Sequence, residues 1–221
     1  MDIQFDTRDA TSLRGRQIGT QVVFFVAGFG RASWAPLVPF LKARIGLDDG
    51  QLGLLLLCLG AGSMLGMPFS GLWNAKLGCR RVIIFSVVAL AVALTGLGVV
   101  GNYLFAGILL MLYGISAGTV DVAMNVQAIE VERDCERAVM SGFHAFYSLG
   151  GIVGAAGGSV LLTLGLSPGA VAILAASLIV AAPASIRRSL ISARSPAPSS
   201  LLAIPKGAIV LVSIDSPLWS Q

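Results

Sequence analysis

The chain has 221 residues, of which 56% are hydrophobic and 12% charged, and its mean hydropathy is +0.86. A soluble domain would carry about a quarter charged residues, so this composition excludes one water-soluble core and indicates a membrane protein. The apolar runs are continuous, whereas strands of a membrane barrel would alternate over about ten residues. The predicted spans are therefore helices, which satisfy their own backbone hydrogen bonds. The net charge of +4 does not indicate nucleic-acid binding, because the basic residues flank apolar runs without interleaved aromatic residues.

Six apolar runs predict six transmembrane helices within residues 18–187. Each has about 19 to 26 residues, or roughly 29 to 39 Å as helix, which is enough to cross the hydrocarbon core. Short connections predict that sequential helices pack as antiparallel neighbours. Pro36 and Pro39 predict a kink in the first span, and the charged segment 130–137 predicts a solvated loop. The runs are Ile18–Leu41, Gln51–Trp73, Val82–Val100, Leu104–Ala128, Val139–Leu164 and Pro168–Ile186.

Lys and Arg residues are concentrated on one side of this predicted topology. Twelve of them lie in the N-terminal tail, the second and fourth connections and the C-terminal tail, against Lys42 and Arg44 on the opposite side. Cytosolic connections of membrane proteins carry an excess of basic residues. The asymmetry therefore predicts that both residues 1–17 and the segment from residue 188 onward are cytosolic.

The composition changes after the sixth run. Residues 188–206 include a Pro/Ser-rich stretch and predict a cytosolic linker. The apolar stretch that follows has about 14 residues, too few to span a membrane, and residues 207–221 are interpreted as the truncated start of a seventh helix. The expected organisation is a cytosolic tail at 1–17, a six-helix bundle at 18–187, this linker and this partial helix.

The connection between the second and third runs reads GLWNAKLGCRRV from Gly71 to Val82. It resembles the signature loop of the major facilitator superfamily, although Ala75 stands where the family has an acid that caps a helix end and pairs with basic residues. The residues that carry the resemblance are Gly71, Lys76, Gly78, Arg80 and Arg81. Independently of the family, the two glycines predict a tight turn, and the two arginines predict an anchor for the third span at the lipid headgroups.

Three further segments support a narrower resemblance. GFGRASWAPLVPFL in the first span, GTVDVAMNVQAIEVE in the fourth and SGFHAFYSLGG in the fifth resemble the fucose-permease-like branch and its bacterial inner-membrane relatives. The fifth span is also similar to the glycine motif of drug/proton antiporters, with Ala155 in place of a proline. The resemblance implies an all-α fold, in which this chain forms the N-terminal half of a twelve-span transporter built around a central cavity. It also implies a bacterial inner membrane.

Three ionisable residues lie inside the predicted spans, where such groups are costly and usually face a cavity or a partner. Helical rise places Arg31, Asp121 and His144 about 20, 10 and 8 Å from the cytosolic ends of their spans. The similar depths predict a hydrogen-bonded pair of Asp121 and His144, with Asp121 as the proton acceptor and His144 tuning it. As the alternative, Asp121 holds spans together or is wetted by cytosolic water. Arg31 is expected to lie apart from this pair.

Polar and aromatic residues near these groups predict a substrate cavity. Arg31 and Trp34 share a helix face. This placement suits a substrate cavity, because a guanidinium binds carboxylate or hydroxyl groups and an indole stacks on a sugar ring. A simple packing pair is the equal alternative. Asn125 follows Asp121 by four residues and shares its face. It is expected to be a substrate or gating ligand, or else to make an interhelical hydrogen bond.

Glycines at helical spacing predict close helix packing. The alternative is that smooth contacts let helices slide during alternating access. Gly114 and Gly118 are assigned to the face that carries Asp121. The packing residues are Gly62, Gly66, Gly114, Gly118, Gly150, Gly154 and Gly158.

These features predict a secondary active transporter of a small polar solute, with a sugar as one candidate, that works by alternating access and is driven by protons. Its expected partners are the lipid bilayer, the solute and protons, with a second six-helix half or a homodimer as an addition. No metal, cofactor or catalytic residue is expected, because phosphate-loop and nucleophile-elbow motifs are absent from the sequence. Two alternatives stay open: a half unit that is inactive alone or acts only as a dimer, and a polytopic membrane enzyme or assembly factor.

Overall fold

A computed structural model describes the backbone of residues 7–186 and the side chains of residues 13–183. This part of the chain is helical and contains no strand. The first predicted span is formed by α1, a 3-10 turn at Ala35–Leu37, and α2, while each later run corresponds to one helix. The helices are α1 Thr7–Ala32, α2 Val38–Ile45, α3 Asp49–Leu77, α4 Cys79–Val99, α5 Tyr103–Cys135, α6 Met140–Thr163 and α7 Pro168–Ile186. The expected linker at 188–206 and partial helix at 207–221 lie outside the described residues.

The helices have the length and composition of membrane spans. Within the described residues, five segments are long and apolar enough to cross a membrane, and α7 adds a shorter apolar stretch at Pro168–Pro183. The predicted fold class, an all-α polytopic membrane protein, is therefore confirmed: with α1 and α2 counted together, the described residues form six consecutive helical units, and five of them are long enough to span a membrane. The five long segments are Leu13–Ile45, Asp49–Leu77, Cys79–Val99, Tyr103–Cys135 and Met140–Thr163.

Two helices extend beyond the apolar runs that predicted them. Helix α1 begins at Thr7, well before Ile18, and α5 continues to Cys135, well past Ala128. The solvated loop predicted at 130–137 is therefore wrong for its first six residues, which are helical. One of its charged residues, Asp134, has a partner on another helix: its Oδ2 lies 2.5 Å from Nη2 of Arg16 on α1.

Local chemistry explains where the helices end and begin. The interruption between α1 and α2 falls just before Pro36, as the prolines predict, because a proline lacks the N–H that would continue the helix. The Asp48 carboxylate accepts a hydrogen bond from Gln51 N, while the Gln51 side chain accepts one from Asp48 N, and this capping box starts α3. The Asn102 side chain starts α5 by accepting from two backbone N–H groups.

The start of α6 is capped from the preceding helix. Oε2 of Glu132, near the end of α5, accepts hydrogen bonds from the backbone N–H groups of Val139 and Met140 at 2.8 and 2.6 Å. A carboxylate at a helix N-terminus satisfies donors that have no partner within the helix, and it also complements the helix dipole. Glu132 therefore fixes the turn between α5 and α6.

The helices pack by pairs that are not all sequential. Helix α5 packs mainly against α3 and α4, and α6 packs mainly against α1. The prediction that sequential helices are neighbours is therefore wrong for α5 and α6, whose contact is slight because α1 packs against both of them. The α1–α6 and α3–α5 pairs run parallel, whereas α1 and α5 run antiparallel.

Candidate functional site

An ion pair joins α1 and α5 inside the bundle. Nη1 of Arg31 lies 2.7 Å from Oδ2 of Asp121, and the exposed fractions of the two side chains are 47% and 22%. This pair corrects the prediction that Arg31 lies apart and that Asp121 pairs with His144. The partner of Asp121 is the guanidinium on the first span.

The antiparallel arrangement of α1 and α5 explains how the two residues meet. Gln127 Nε2 donates to Oγ1 of Thr20 at 2.9 Å, and from this contact Arg31 lies about 16 Å along α1 and Asp121 about 9 Å along α5. Side chains on a helix lean toward that helix's own N-terminus. Because α1 and α5 are antiparallel, the Arg31 and Asp121 side chains tilt toward each other. This tilt closes most of the offset of about 7 Å between their backbone positions. Depths counted by helical rise alone leave out these opposed directions, and they therefore separate Arg31 from Asp121.

His144 lies on a different part of the bundle surface. Its side chain is exposed, and its ring meets Phe24 of α1 edge to face, with ring centroids 5.3 Å apart. Among the described residues it makes no hydrogen bond or ion pair with Asp121. The reason is the packing order, since α6 contacts α1 far more than α5. On the same helix, the backbone of Tyr147 packs against Gly28 of α1, and the sequence analysis did not single it out.

A cavity of about 150 Å³ lies beside the ion pair. Arg31 and Trp34, the two predicted substrate-cavity residues, both line it, together with Tyr113 of α5 and small residues of α3 and α5. The centroids of the Trp34 and Tyr113 rings are 6.4 Å apart. The structure therefore brings together a cation, two aromatic rings and a cavity.

Tyr113 is the main site residue that the sequence analysis missed. Its ring is buried, and its hydroxyl donates a hydrogen bond to the carbonyl oxygen of Gly30, immediately before Arg31. Such a bond satisfies a polar group in an apolar interior and fixes α5 against α1. The sequence did contain a signal, since Tyr113 precedes Asp121 by eight residues and therefore lies on the same helix face.

Asn125 takes no part in an interhelical bond among the described residues. Its Nδ2 donates to the backbone oxygen of Asp121 at 2.7 Å, within the same helix. The expected interhelical hydrogen bond is therefore wrong. Its expected role as a substrate or gating ligand stays a prediction.

The packing glycines lie at two helix interfaces. A Cβ on Gly62 or Gly66 of α3 would overlap backbone atoms of Met111 or Ile115 on α5, and the converse holds for Gly114 and Gly118 against α3. These two glycines of α5 contact α3, while Asp121, three residues after Gly118, pairs with Arg31 of α1. On α6, a Cβ on Gly154 would lie 2.5 Å from the carbonyl oxygen of Phe29. Gly150 packs likewise against Phe25, and Gly158 against Pro36.

The signature segment forms one turn, and only one of its two glycines is in that turn. Gly71 lies inside α3, which continues to Leu77, so the predicted role of Gly71 in the turn is wrong. Gly78 alone makes the turn, with φ +82° and ψ 149°, a conformation that suits only glycine. Lys76 and Arg81 are exposed and Arg80 is half-buried on either side of the turn.

Buried polar residues form a second feature that the sequence analysis did not identify. The Ser70 hydroxyl donates to the backbone oxygen of Thr119 at 2.9 Å, and Asn74 Nδ2 donates to the Ser70 hydroxyl at 3.4 Å. Among the described residues, Asn74 Oδ1 and Gln127 Oε1 are buried oxygens without a hydrogen-bond partner. These residues join α3 to α5, and α1 to α5, by polar contacts at depth.

The amino-acid sequence of the chain matches a known family of proteins. The family model of the Major Facilitator Superfamily matches residues 22–219. The chain belongs to the Major Facilitator Superfamily. The superfamily comprises membrane transporters, and the five long apolar segments agree with an integral membrane protein of this kind. The resemblance to the fucose-permease-like branch stays a prediction.

Three proteins similar to this chain come from bacteria. The chain is 46% identical over 201 residues to an uncharacterized MFS-type transporter of Yersinia pestis, a match that covers 89% of this chain and 52% of that protein. It is 35% identical over 142 residues to the uncharacterized transporter y4wD of Sinorhizobium fredii, covering 64% of this chain and 38% of that protein. It is 32% identical over 131 residues to the membrane protein MosC of Rhizobium meliloti, covering 59% and 32%. The chain thus spans about half the length of the first relative and less of the other two.

Proposed function

We propose that the chain contributes to proton-coupled secondary transport of a small polar solute by alternating access. The observation that carries this proposal is the Arg31–Asp121 ion pair beside a cavity with two aromatic walls. Ionisable residues within membrane spans commonly mark substrate and proton pathways. Family membership supports membrane transport in general, and the ion pair supports the coupling.

The proposed coupling step uses the two partners of the pair in turn. A proton that binds the Asp121 carboxylate removes the negative charge that holds the guanidinium. Arg31 then becomes free to bind a carboxylate or hydroxyl group of the solute, since a guanidinium offers five N–H donors in a planar fork. Trp34 supplies an apolar face on which a sugar ring can stack. Release of the solute and the proton on the other side restores the ion pair.

Few other charges act on Asp121. Arg31 pairs with it from α1, His144 and Tyr147 are the titratable residues of α6, and Tyr113 lies two turns away on α5. The charged residues of α3 and α4 lie at the ends of these helices: Asp49, Lys76, Arg80 and Arg81. The proposed pH dependence of transport therefore rests on Asp121 with Arg31, and not on His144.

The test is flux into liposomes that contain the purified chain and a trapped pH-sensitive dye. Sugars and small hydroxy acids are supplied outside, with and without an inward proton gradient. We expect solute uptake to acidify the lumen, Asp121→Asn to abolish acidification, and Asp49→Asn, the same change at the exposed start of α3, to retain it as the matched control. Uptake of an identified solute without proton movement in the unchanged chain would refute the coupling.

The alternative is a half unit that transports only as a dimer or is inactive alone. Two observations favour it: the chain spans 52% of its Yersinia relative, and α3 and α6 leave much of their apolar length uncovered, with 22% and 17% of it buried. A dimer predicts a twofold mass in detergent by light scattering, together with flux. A monomeric mass together with flux would refute the dimer, and stable folding without flux would indicate the inactive form.

We further propose that the membrane is a bacterial inner membrane with the N-terminus cytosolic. The support is the crowding of basic residues in alternate connections and the bacterial origin of the relatives. Single cysteines introduced at exposed positions and labelled from outside intact cells test the orientation, in a background in which the three native cysteines are replaced. We expect labelling near Gly101 and none near Arg137. We also propose that the chain has no enzymatic activity.

A further inference from the structure

The first turn of α4 carries two arginines whose charge is not neutralised by the described side chains. Arg80 and Arg81 follow the Gly78 turn, and Arg81 is exposed. Among these side chains, the ion pairs involve Arg16, Arg31 and Lys42, and neither Arg80 nor Arg81 has a carboxylate within 4 Å. The signature acid that could supply one is replaced by Ala75. Two guanidinium groups are therefore available for an external anion.

These arginines line a cavity with an apolar floor. The cavity has a volume of about 360 Å³, and the described residues that line it, Arg80, Arg81, Ile84 and Phe85, all belong to α4. Residues four apart on a helix lie one above the other, so Ile84 lies below Arg80, and Phe85 below Arg81. Phe85 lies about 6 Å deeper into the membrane than Arg81. The cavity is thus cationic at the membrane surface and apolar toward the membrane interior.

An apolar groove lies on the other side of Phe85, on the neighbouring face of α4. It has a volume of about 230 Å³, shares Phe85 with the cavity, and runs between α3, α4 and α5. At the end nearer Arg80, its walls include Leu77 and the exposed ring of Trp73. At the other end it reaches Ala89, about 13 Å along α4 from Arg80. The length and apolar lining suit a hydrocarbon chain.

We propose that this surface, formed by Arg80, Arg81 and the groove below Phe85, binds one anionic phospholipid. The phosphate lies between the two guanidinium groups, which bind phosphate oxygens in a planar fork, and one acyl chain follows the groove. A soluble phosphate compound would leave the groove uncovered, and a zwitterionic lipid brings a cation that opposes the arginines. The proposal is independent of the proposed transport cycle, because none of its residues lines the cavity beside Arg31.

Native mass spectrometry of the purified chain in detergent tests the site. Phosphatidylglycerol and phosphatidylcholine with identical acyl chains are titrated separately. We expect a first phosphatidylglycerol to bind more tightly than phosphatidylcholine, and the double variant Arg80→Gln/Arg81→Gln to weaken that binding by about tenfold, since each basic residue near a membrane surface contributes to anionic-lipid affinity. The matched control is Arg133→Gln/Arg137→Gln, two exposed arginines at the same membrane surface with the same change in charge.

Four outcomes decide whether this surface is a specific lipid site. An equal loss in the control variant would show general electrostatic attraction, and equal binding of both lipids would show a non-selective lipid shell, so either overturns the proposal. Glycerol 3-phosphate that competes as well as the lipid would show a soluble-anion site and would also overturn it. Phe85→Ser, at an exposed position that folding tolerates, is expected to weaken the lipid about fivefold without changing the preference for its headgroup. Unchanged affinity in that variant would exclude the groove.

Discussion

Gly150 on α6 lies directly against the backbone of Phe25 on α1, so close that a Cβ on the glycine would overlap the Phe25 carbonyl oxygen. The contact is backbone on backbone, and neither helix can move away without opening the interface around it. Gly157 on the same helix has no atom near enough to meet a Cβ among the described residues. The two glycines therefore form a matched pair for testing the packing.

We expect Gly150→Leu to destabilise the chain by about 1 to 3 kcal/mol, because an overfilled interface forces backbone shifts. Gly157→Leu is expected to change stability by less than about 0.5 kcal/mol. The measurement is the free energy of unfolding from denaturant titration in detergent, followed by circular dichroism. Similar values for both variants would contradict the α1–α6 contact.

The ion pair predicts an energetic coupling between α1 and α5. In a double-mutant cycle with Arg31→Gln and Asp121→Asn, we expect a coupling of about 1 kcal/mol, reduced from that of a buried pair by the partial exposure of both side chains. The measurement is again the free energy of unfolding in detergent. The control cycle uses Lys42→Gln and Asp49→Asn, whose pair is at the surface with Asp49 almost fully exposed, and we expect no measurable coupling there. Additive effects at Arg31 and Asp121 would disprove their contact.

Tyr113→Phe removes one hydroxyl and leaves the Gly30 carbonyl without its donor. An unsatisfied buried polar group costs about 1 to 3 kcal/mol, so we expect a loss of stability in that range. Tyr103→Phe, at the partly exposed start of α5, should be neutral within about 0.5 kcal/mol. Thermal denaturation of both variants, side by side, checks this. Equal melting temperatures would show that the hydroxyl of Tyr113 has no structural role.

Glu132→Ala removes the cap at the start of α6. Loss of a cap costs about 0.5 to 2 kcal/mol, and the first turn of α6 should exchange its amide hydrogens faster. Glu136→Ala, four residues on and in the left-handed region at φ 49°, makes no such cap and is the control. Hydrogen exchange at Val139 and Met140 is the measurement. Protection that is unchanged in Glu132→Ala would contradict the role of its carboxylate.

The helices could be predicted from the sequence because their causes are local. Continuous apolar runs require helices in lipid, and the capping box at Asp48 and the proline at Pro36 mark where helices start and break. The helix ends at Thr7 and Cys135 could not be predicted from hydropathy, since both helices continue into charged residues outside the apolar runs, where Arg16 pairs with Asp134.

The site was predicted only in part, because it depends on which helices touch. Arg31 and Trp34 were correctly placed together on one cavity, since both lie on one helix face. The pairing of Asp121 depends on the antiparallel contact of α1 and α5 and on the opposed lean of their side chains. Neither can be derived from the sequence order, which favours His144 on the next helix.

The two glycine-lined contacts also determine where the bundle can change shape. In α1–α6 and α3–α5 the backbones touch with no side chain between them, so each parallel pair moves as one rigid body. The seam between these bodies follows α1 and α5, and three polar contacts hold it: Thr20 with Gln127, Tyr113 with Gly30, and Arg31 with Asp121. We therefore expect this seam to be the hinge line of the domain, and protonation of Asp121 to weaken it by removing one of the three contacts.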